Sequence, residues 1–406
     1  MKVAIIGAGP AGIFCASKLE NCQVSVYEKN SKVGVKLNIT GKGRCNITNN
    51  CTCEEFLENV VTNPRFLYSA IRSFNCQDTI AFFENNGLPL VTERGRRVFP
   101  LSGKATDVTA CMYNQCKKKC VDFVFEDVTD VKKTENGFLV TTEKSSKEFD
   151  KVVVCCGGVS YPETGSDGFG YKVAKKFGHS IIEPTSALVP IETNEDVSSL
   201  AFLDLKNVSI KAIDGKKVYE EFGEVEFFKK GLCGPTILSI SSRINKSQLD
   251  KVRLVLDLKP ALSEETLENR ILREFAKKEN KTVQDVVKTL LPSKMIDYYL
   301  SYVKVPFDKK VDRVTKEERK ALVNSLKNMQ FTIKKLADKT RGIVTSGGVS
   351  TKEINPSTMQ SKITDGLYFA GEIIDVDALT GGYNIQIALS TANLVAQDVN
   401  KQQKEK

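Results

Sequence analysis

Residues 40–49 read Thr40-Gly41-Lys42-Gly43-Arg44-Cys45-Asn46-Ile47-Thr48-Asn49. Glycines, cations, a thiol and several amide and hydroxyl groups crowd together here, a mixture too polar to build a core. It suits a metal, a reactive thiolate, a nucleic acid or a phosphate. The chain holds a single histidine, His179, and its 12 cysteines form no C-x-x-C pair. Histidine-pair zinc sites and the usual iron–sulfur spacings are therefore excluded. Arg44 would lower the pKa of its neighbour Cys45. No resolving cysteine follows at C-x-x-C spacing, so Cys45 reads first as a small packing or hydrogen-bonding neighbour of a ligand, its reactivity open. Nucleic-acid binding calls for basic residues interleaved with aromatics, a pattern the chain does not show. A phosphate-bearing ligand remains.

The elements that would position such a ligand begin at the amino terminus. Residues 3–6 are an apolar run of buried-parallel-strand type, followed by Gly7-Ala8-Gly9-Pro10-Ala11-Gly12 in the G-x-G-x-x-G pattern. Residues 13–19 continue as a helix, and residues 23–27 as a second strand ending at Glu28. In this pattern Gly7 permits the tight turn, Gly9 lets a pyrophosphate approach the backbone and Gly12 lets the helix pack on the strand. The helix N-terminus offers N–H groups and a positive dipole end to phosphates. Glu28 is placed for the hydroxyls of an adenosine ribose and would repel a 2′-phosphate, which disfavours NADP here and leaves FAD and NAD open.

Farther along, residues 105–119 read as a helix and 121–125 as a strand. Residues 128–155 form a small meander with an Asn136-Gly137 turn, returning to a buried strand that ends at Cys155-Cys156-Gly157-Gly158. Small residues at a strand end explain that cysteine pair better than redox chemistry does. From residue 188 the pattern becomes antiparallel and β-rich, with an Asp214-Gly215 turn. Residues 263–330 show helical spacing and a Thr315–Glu318 capping box. Glycine chemistry returns with Leu367-Tyr368-Phe369-Ala370-Gly371-Glu372, and with Gly381-Gly382-Tyr383-Asn384 opening a helix to about residue 397. The expected fold is α/β: a discontinuous Rossmann-like dinucleotide-binding domain (1–187 and 345–406). Into it are inserted a β-rich domain (188–262 and 331–344) and a small helical subdomain (263–330).

Composition bounds the rest. The chain has 406 residues, 41% hydrophobic and 27% charged, as in soluble proteins. No apolar run reaches the ~18 residues of a membrane helix. Residues 1–6 lead straight into the glycine loop rather than to a signal cleavage site. The net charge of +9 is scattered over lysines and reads as a solvated surface compatible with anionic small ligands. Reduced cysteines in a bacterial cytoplasm are expected, with a small-molecule substrate and neither nucleic acid nor membrane as partner.

Taken together, the motifs resemble the BaiN/YhiN-like flavoproteins along nearly the whole chain. The resemblance is carried by "IIGAGPAG", "GVKLNITGKGRCNITN", "RRVFPLSGKATDV", "VVVCCGGVSYPETGSDGFGYKVAKKFGHSI", "GLCGPTILSIS" and "GLYFAGEIIDVDALTGGYNIQIALSTA". It implies non-covalent FAD. Gly7, Gly9, Ala11 and Gly12 would lie at the pyrophosphate, Glu28 and Lys29 at the adenosine side, and the backbone of Val128 at the adenine. Lys36, Thr40, Gly43, Arg44, Cys45 and Asn46 would follow the cofactor from phosphate to ring. Gly157, Gly158, Gly371, Glu372, Gly382, Tyr383 and Asn384 would close around the ribityl chain and flavin. The chain departs from the family at Val35, where an arginine is usual, and at Phe227-Phe228-Lys229-Lys230, where a Thr-His pair is usual. The second departure bears on substrate choice.

FAD would carry the redox chemistry while the protein positions and tunes it. No second G-x-G-x-x-G follows a strand, so an NAD(P)H donor would visit transiently. The reaction expected from the resemblance is reduction of a C=C bond in an enone, steroid- or bile-acid-like substrate. The alternatives are oxidation of a small amine such as aminoacetone, or a flavin-binding regulator without turnover. His179 reads as structural. Tyr161 and Tyr383 are candidate proton donors and equally good packing residues, and no catalytic acid or metal site is assigned.

Overall fold

The apolar run near the amino terminus becomes the central strand of a parallel sheet buried on both faces. A computed structural model describes residues 1–277 and 281–405. The chain divides into two units, Met1–Ala187 with Asp338–Lys406, and Leu188–Ala337.

In the first unit the sheet runs Leu367–Phe369, Lys151–Val154, Lys2–Ile6, Gln23–Tyr27, Asp122–Val124, all parallel. Ile6 lies opposite both Val154 and Tyr27, so the central strand delivers Gly7 between two neighbouring strand ends. Parallel strands covered on both faces are nearly continuous apolar runs, as here, where Val3, Ala4, Ile5, Val152, Val153 and Val154 have no exposed surface. Helix Pro10–Lys18 follows the glycine turn and packs against helices Ala105–Lys118 and Tyr383–Lys404. The last of these runs to Lys404, beyond the stop expected near 397, because its inner face stays buried as far as Val399. Strands Val128–Lys133, Phe138–Thr142 and Ser146–Phe149 form the antiparallel meander, and the Thr134 N–H donates to the Gly137 carbonyl at 3.0 Å across its turn. Strand Ile181–Ala187 pairs with Val344–Val349, so the returning chain rejoins this unit ahead of residue 345.

In the second unit Ile191–Thr193, Gly231–Cys233, Lys217–Phe228, Asp204–Asp214, Arg253–Asp257 and Met329–Leu336 close into an antiparallel barrel. Met329, Phe331 and Ile333 alternate inward along the last strand, the period-two pattern of a strand with one buried face. Helices Glu264–Ala276, Ile296–Val303 and Lys316–Lys327 share one hydrophobic cluster with the barrel through Leu267, Ile271, Tyr299 and Leu326. The Tyr299 hydroxyl donates to the Leu322 carbonyl at 2.6 Å. The expected capping box is present, with Thr315 Oγ1 accepting from the Glu318 N–H and the Glu318 carboxylate from the Thr315 N–H.

Among the described residues no helix is long and apolar enough to cross a membrane, and no group of three or more His, Cys, Asp or Glu side chains is placed to hold a metal.

Candidate functional site

The glycine loop has the geometry its spacing demands. Gly7 has φ +104°, a conformation side chains resist, and its N–H donates to the Tyr27 carbonyl at 2.8 Å. A Cβ at Gly12 would lie 1.9 Å from the Gly7 carbonyl oxygen, whereas a Cβ at Gly9 would meet nothing within 4 Å. Gly12 is thus demanded by the protein itself, and Gly9 faces open space. Gly9 caps helix Pro10–Lys18 without a side-chain hydrogen bond. Ala11 abuts Gly371, where a Cβ would come within 3.0 Å of the alanine methyl. Glu28 is held across the loop: Oε2 accepts the Ala8 N–H at 2.9 Å, and Oε1 accepts the Asn30 N–H and Nδ2. A carboxylate offers about four lone-pair positions, so capacity for ribose hydroxyls remains. Lys29 pairs with Asp167 at 2.7 Å.

Beyond Gly34, whose φ of +68° starts helix Val35–Gly43, the helical conformation breaks at Thr40, Gly41 and Lys42. Lys36 projects from its first turn to Glu372 Oε2 at 2.8 Å and to Ser160 Oγ. Ser160 Oγ and the Thr345 N–H both donate to Glu372 Oε1, at 2.7 and 2.9 Å. Burial works against the Glu372 charge, yet Lys36 and these two donors hold its carboxyl below the usual range.

The stretch 40–49 corrects two expectations. First, its second half does enter the core: Cys45, Ile47 and Thr48 have no exposed surface, and Asn49 is buried. Thr48 and Asn49 pair with Val98 and Arg97 in a short antiparallel strand, which satisfies the backbone of so polar a segment. Second, Arg44 does not activate Cys45. Its guanidinium binds Glu93 at 2.5 Å and lies 4.4 Å from the Phe99 ring centre, while burial pushes the Cys45 thiol up to about 12. Cys45 has φ +58°, and its N–H donates to the Thr40 carbonyl. Gly43 faces open space with φ +84°. The Asn46 Oδ1 atom is buried without a hydrogen-bond partner, although such atoms normally have one.

Gly157, with φ +74°, lies three residues beyond the strand Lys151–Val154, and a Cβ at Gly158 would lie 2.3 Å from Thr345 Oγ1. A Cβ at Gly382 would lie 2.5 Å from the Thr48 carbonyl carbon, so the start of the last helix rests directly on the 40–49 stretch. No side chain caps that start at Gly382. Tyr383 is buried with its ring 5.3 Å from Phe56, and burial pushes its hydroxyl up to about 12. Asn384 takes the Ala378 N–H on Oδ1 and donates Nδ2 to the Ala378 carbonyl, closing the preceding loop. Val128 opens the meander strand opposite Thr142.

The geometry joins Lys36 with Glu372, Ala11 with Gly371, and the 40–49 stretch with Gly382. Ser160 and Thr345 escaped sequence reasoning. Each is a common polar residue outside a recognised spacing, and only their convergence on Glu372 gives them meaning. His179 is structural: its ring is buried 4.9 Å from Phe369, Nε2 lies 2.8 Å from Ser361 Oγ, and burial lowers its pKa. Burial likewise raises the thiol pKa of Cys155 and Cys156, which follow the strand Lys151–Val154.

A central strand, a glycine turn, a helix N-terminus and an acid closing the second strand define a Rossmann-like dinucleotide-binding protein. More narrowly, the chain belongs to the family described as HI0933-like protein Rossmann domain, matched over residues 1–398. Among its relatives, the ribosomal RNA dihydrouridine synthase of Haemophilus influenzae is 30% identical, over 98% of both chains. That of Escherichia coli is 29% identical over 97% of both. The 3-dehydro-bile acid delta(4,6)-reductase of Clostridium scindens is 27% identical, again over 97% of both.

Proposed function

We propose that the protein binds FAD non-covalently and reduces a ring C=C bond conjugated to a carbonyl. The reading rests on one observation: full-length relatives carry names that differ in substrate but share this bond change. Dihydrouridine is uridine saturated at the double bond conjugated to its C4 carbonyl, and a 3-oxo-Δ4,6 steroid presents the same unit extended by one double bond. In either, a hydride adds at a carbon conjugated through the double bond to the carbonyl and a proton adds toward the carbonyl.

The residues fit FAD. Gly9 and Gly43 leave open backbone where a ligand approaches, the helix at Pro10 presents its N-terminus to a pyrophosphate, and the orphaned Asn46 Oδ1 awaits a donor. FAD held there would supply two-electron redox chemistry, with NAD(P)H as the transient electron donor in this reading. Glu28 would hold the adenosine ribose, and Lys36 with Glu372 would hold the ribityl hydroxyls. The uncapped helix start at Gly382 would favour negative charge beside it. Lys29, Thr40, Arg44, Cys45, Val128, Gly157, Gly158, Gly371, Tyr383 and Asn384 line the same path in this reading.

The uracil ring of ribosomal RNA is the substrate this reading favours, on the two dihydrouridine synthase relatives, beside the small-molecule substrate expected from the sequence. Residues 188–337 carry 28 Lys and Arg against 22 Asp and Glu, so this unit holds +6 of the net +9. A basic surplus concentrated in one unit suits a polyanion. A steroid-like enone is the second reading, on the bile-acid reductase relative.

The test is anaerobic incubation of the yellow protein with NADH or NADPH and either unmodified ribosomal RNA or a 4-en-3-one steroid. Dihydrouridine detected by mass spectrometry supports the first substrate, and a saturated steroid the second. Flavin bleached only by a small amine, with peroxide on adding air, would replace the reductase by an oxidase. RNA retained in a salt-sensitive way, with no donor reducing the flavin, would indicate a regulator.

A further inference from the structure

Cys51 and Cys76, 25 positions apart, bring their sulfurs to 3.9 Å, and both are buried. Cys76 is the first residue of the ten-residue helix Cys76–Asn85, capped by Asn75, whose Oδ1 accepts the N–H groups of Gln77 and Asp78. A thiol at that position sits at the positive end of the helix. The two thiols share a hydrogen bond in which either sulfur can donate, and the backbone N–H groups of Asn49 and Cys51 are directed at Cys76 as well. The Thr48 hydroxyl reaches both Cys76 Sγ and Gln386 Oε1 and can donate to either. The Cys51 bond leads in lowering the Cys76 pKa, against the opposing effect of burial, while the same bond and burial raise that of Cys51. The helix start and the converging donors make Cys76 the sulfur that carries the thiolate, leaving the shared proton on Cys51.

Both segments are tied to the start of helix Tyr383–Lys404. Asn49 Nδ2 donates to the Gly381 carbonyl at 3.3 Å, and Thr48 Oγ1 to Gln386 at 2.6 Å. On the other side, Gln386 Nε2 and Ser390 Oγ both donate to the Phe74 carbonyl.

We propose that Cys51 and Cys76 are a modification site for a hydroperoxide, forming a reversible disulfide clasp beneath the start of the carboxyl-terminal helix. The Cys76 thiolate attacks one peroxide oxygen: an S–O bond forms, the O–O bond breaks, and the leaving hydroxide or alkoxide takes a proton. The Cys51 sulfur then displaces the oxygen of the sulfenic acid: the S–S bond forms, the S–O bond breaks, and the Cys51 proton leaves in water. Two electrons pass from the thiol pair to the peroxide, and a dithiol reductant returns them. The sulfurs must close from 3.9 Å to the ~2.05 Å of a disulfide. Neighbouring Cys53 donates instead to the Ile71 carbonyl at 3.8 Å and is not the partner.

The test is peroxide treatment of the full-length flavin-loaded protein, alkylation of the remaining thiols in denaturant, and tryptic mapping. Fragment ions must separate Cys45, Cys51 and Cys53, which share one peptide. The expected product is a peptide linked through Cys51 and Cys76, with two thiols lost and both restored by dithiothreitol. Cys51→Ser should convert the product to over-oxidised Cys76, whereas Cys53→Ser should leave the link intact. A link through Cys53, or Cys51 and Cys76 both still alkylated after peroxide, overturns the proposal. If Cys51→Ser does not fold, the unsubstituted protein and Cys53→Ser decide the matter. The readout is thiol chemistry, so it stands or falls separately from the choice of substrate.

Discussion

Lys36 and Glu372 meet at 2.8 Å although 336 positions separate them. The pair ties the segment after the glycine loop to the last sheet strand, and both side chains are about one-fifth exposed. Because the folded Glu372 carboxyl sits below the ordinary value of 4.5, its contribution is complete above that value. It is lost as the pH falls through the folded pKa. Glu372→Gln should therefore cost ~1–3 kcal/mol at neutral pH, the scale for breaking a charged, partly buried hydrogen-bond set. The loss should shrink in acid, where the native carboxyl is protonated too. Urea melts at neutral and acid pH check this; equal losses at both would refute the charged network.

Gly9 and Gly12 separate folding from ligand binding. Gly12→Ala drives a methyl into the Gly7 carbonyl and should yield little folded protein. Gly9→Ala meets no protein atom and should fold with an unchanged melting temperature as apoprotein. Gly9→Glu should purify colourless, since bulk and negative charge occupy the approach to the pyrophosphate. Stoichiometric FAD in Gly9→Glu would refute the assignment of this loop.

The first unit could be read from its sequence because each piece has a local signature. An apolar run, a glycine spacing and a terminal acid suffice to foresee residues 2–28, and the Asn136-Gly137 turn foretells the meander. The closure of the barrel is different, since Ile191–Thr193 must pair with Met329–Leu336 more than a hundred residues later, and no local pattern encodes that partner. The same reason hid Ser160 and Thr345. Stretch 40–49 misled for another cause: composition said surface, but a ladder to residues 97–98 and contact with Gly382 let polar residues be buried.

Cys45 should prove chemically quiet. Its thiol is fully buried and pushed up to about 12, so almost none is thiolate at neutral pH. Mass spectrometry after iodoacetamide treatment of native protein should find Cys45 unmodified while exposed Cys120 is labelled. Cys45→Ala should keep at least half the activity, and a loss of a hundredfold or more would restore a chemical role for the thiol.

Asn46 offers the sharpest test of where the cofactor lies. Its buried Oδ1 has no partner, which costs stability in the ligand-free protein, and a ligand donor would relieve that cost. Asn46→Ala should leave the apoprotein as stable as before or slightly more so. The same change should weaken FAD binding about five- to tenfold, equivalent to the ~1 kcal/mol of one net hydrogen bond. Fluorescence-quench titration of apoprotein with FAD, alongside thermal melts without it, measures both quantities on one preparation. Destabilised apoprotein with unchanged affinity would mean that Oδ1 serves the fold, and the flavin path would have to be drawn away from this loop.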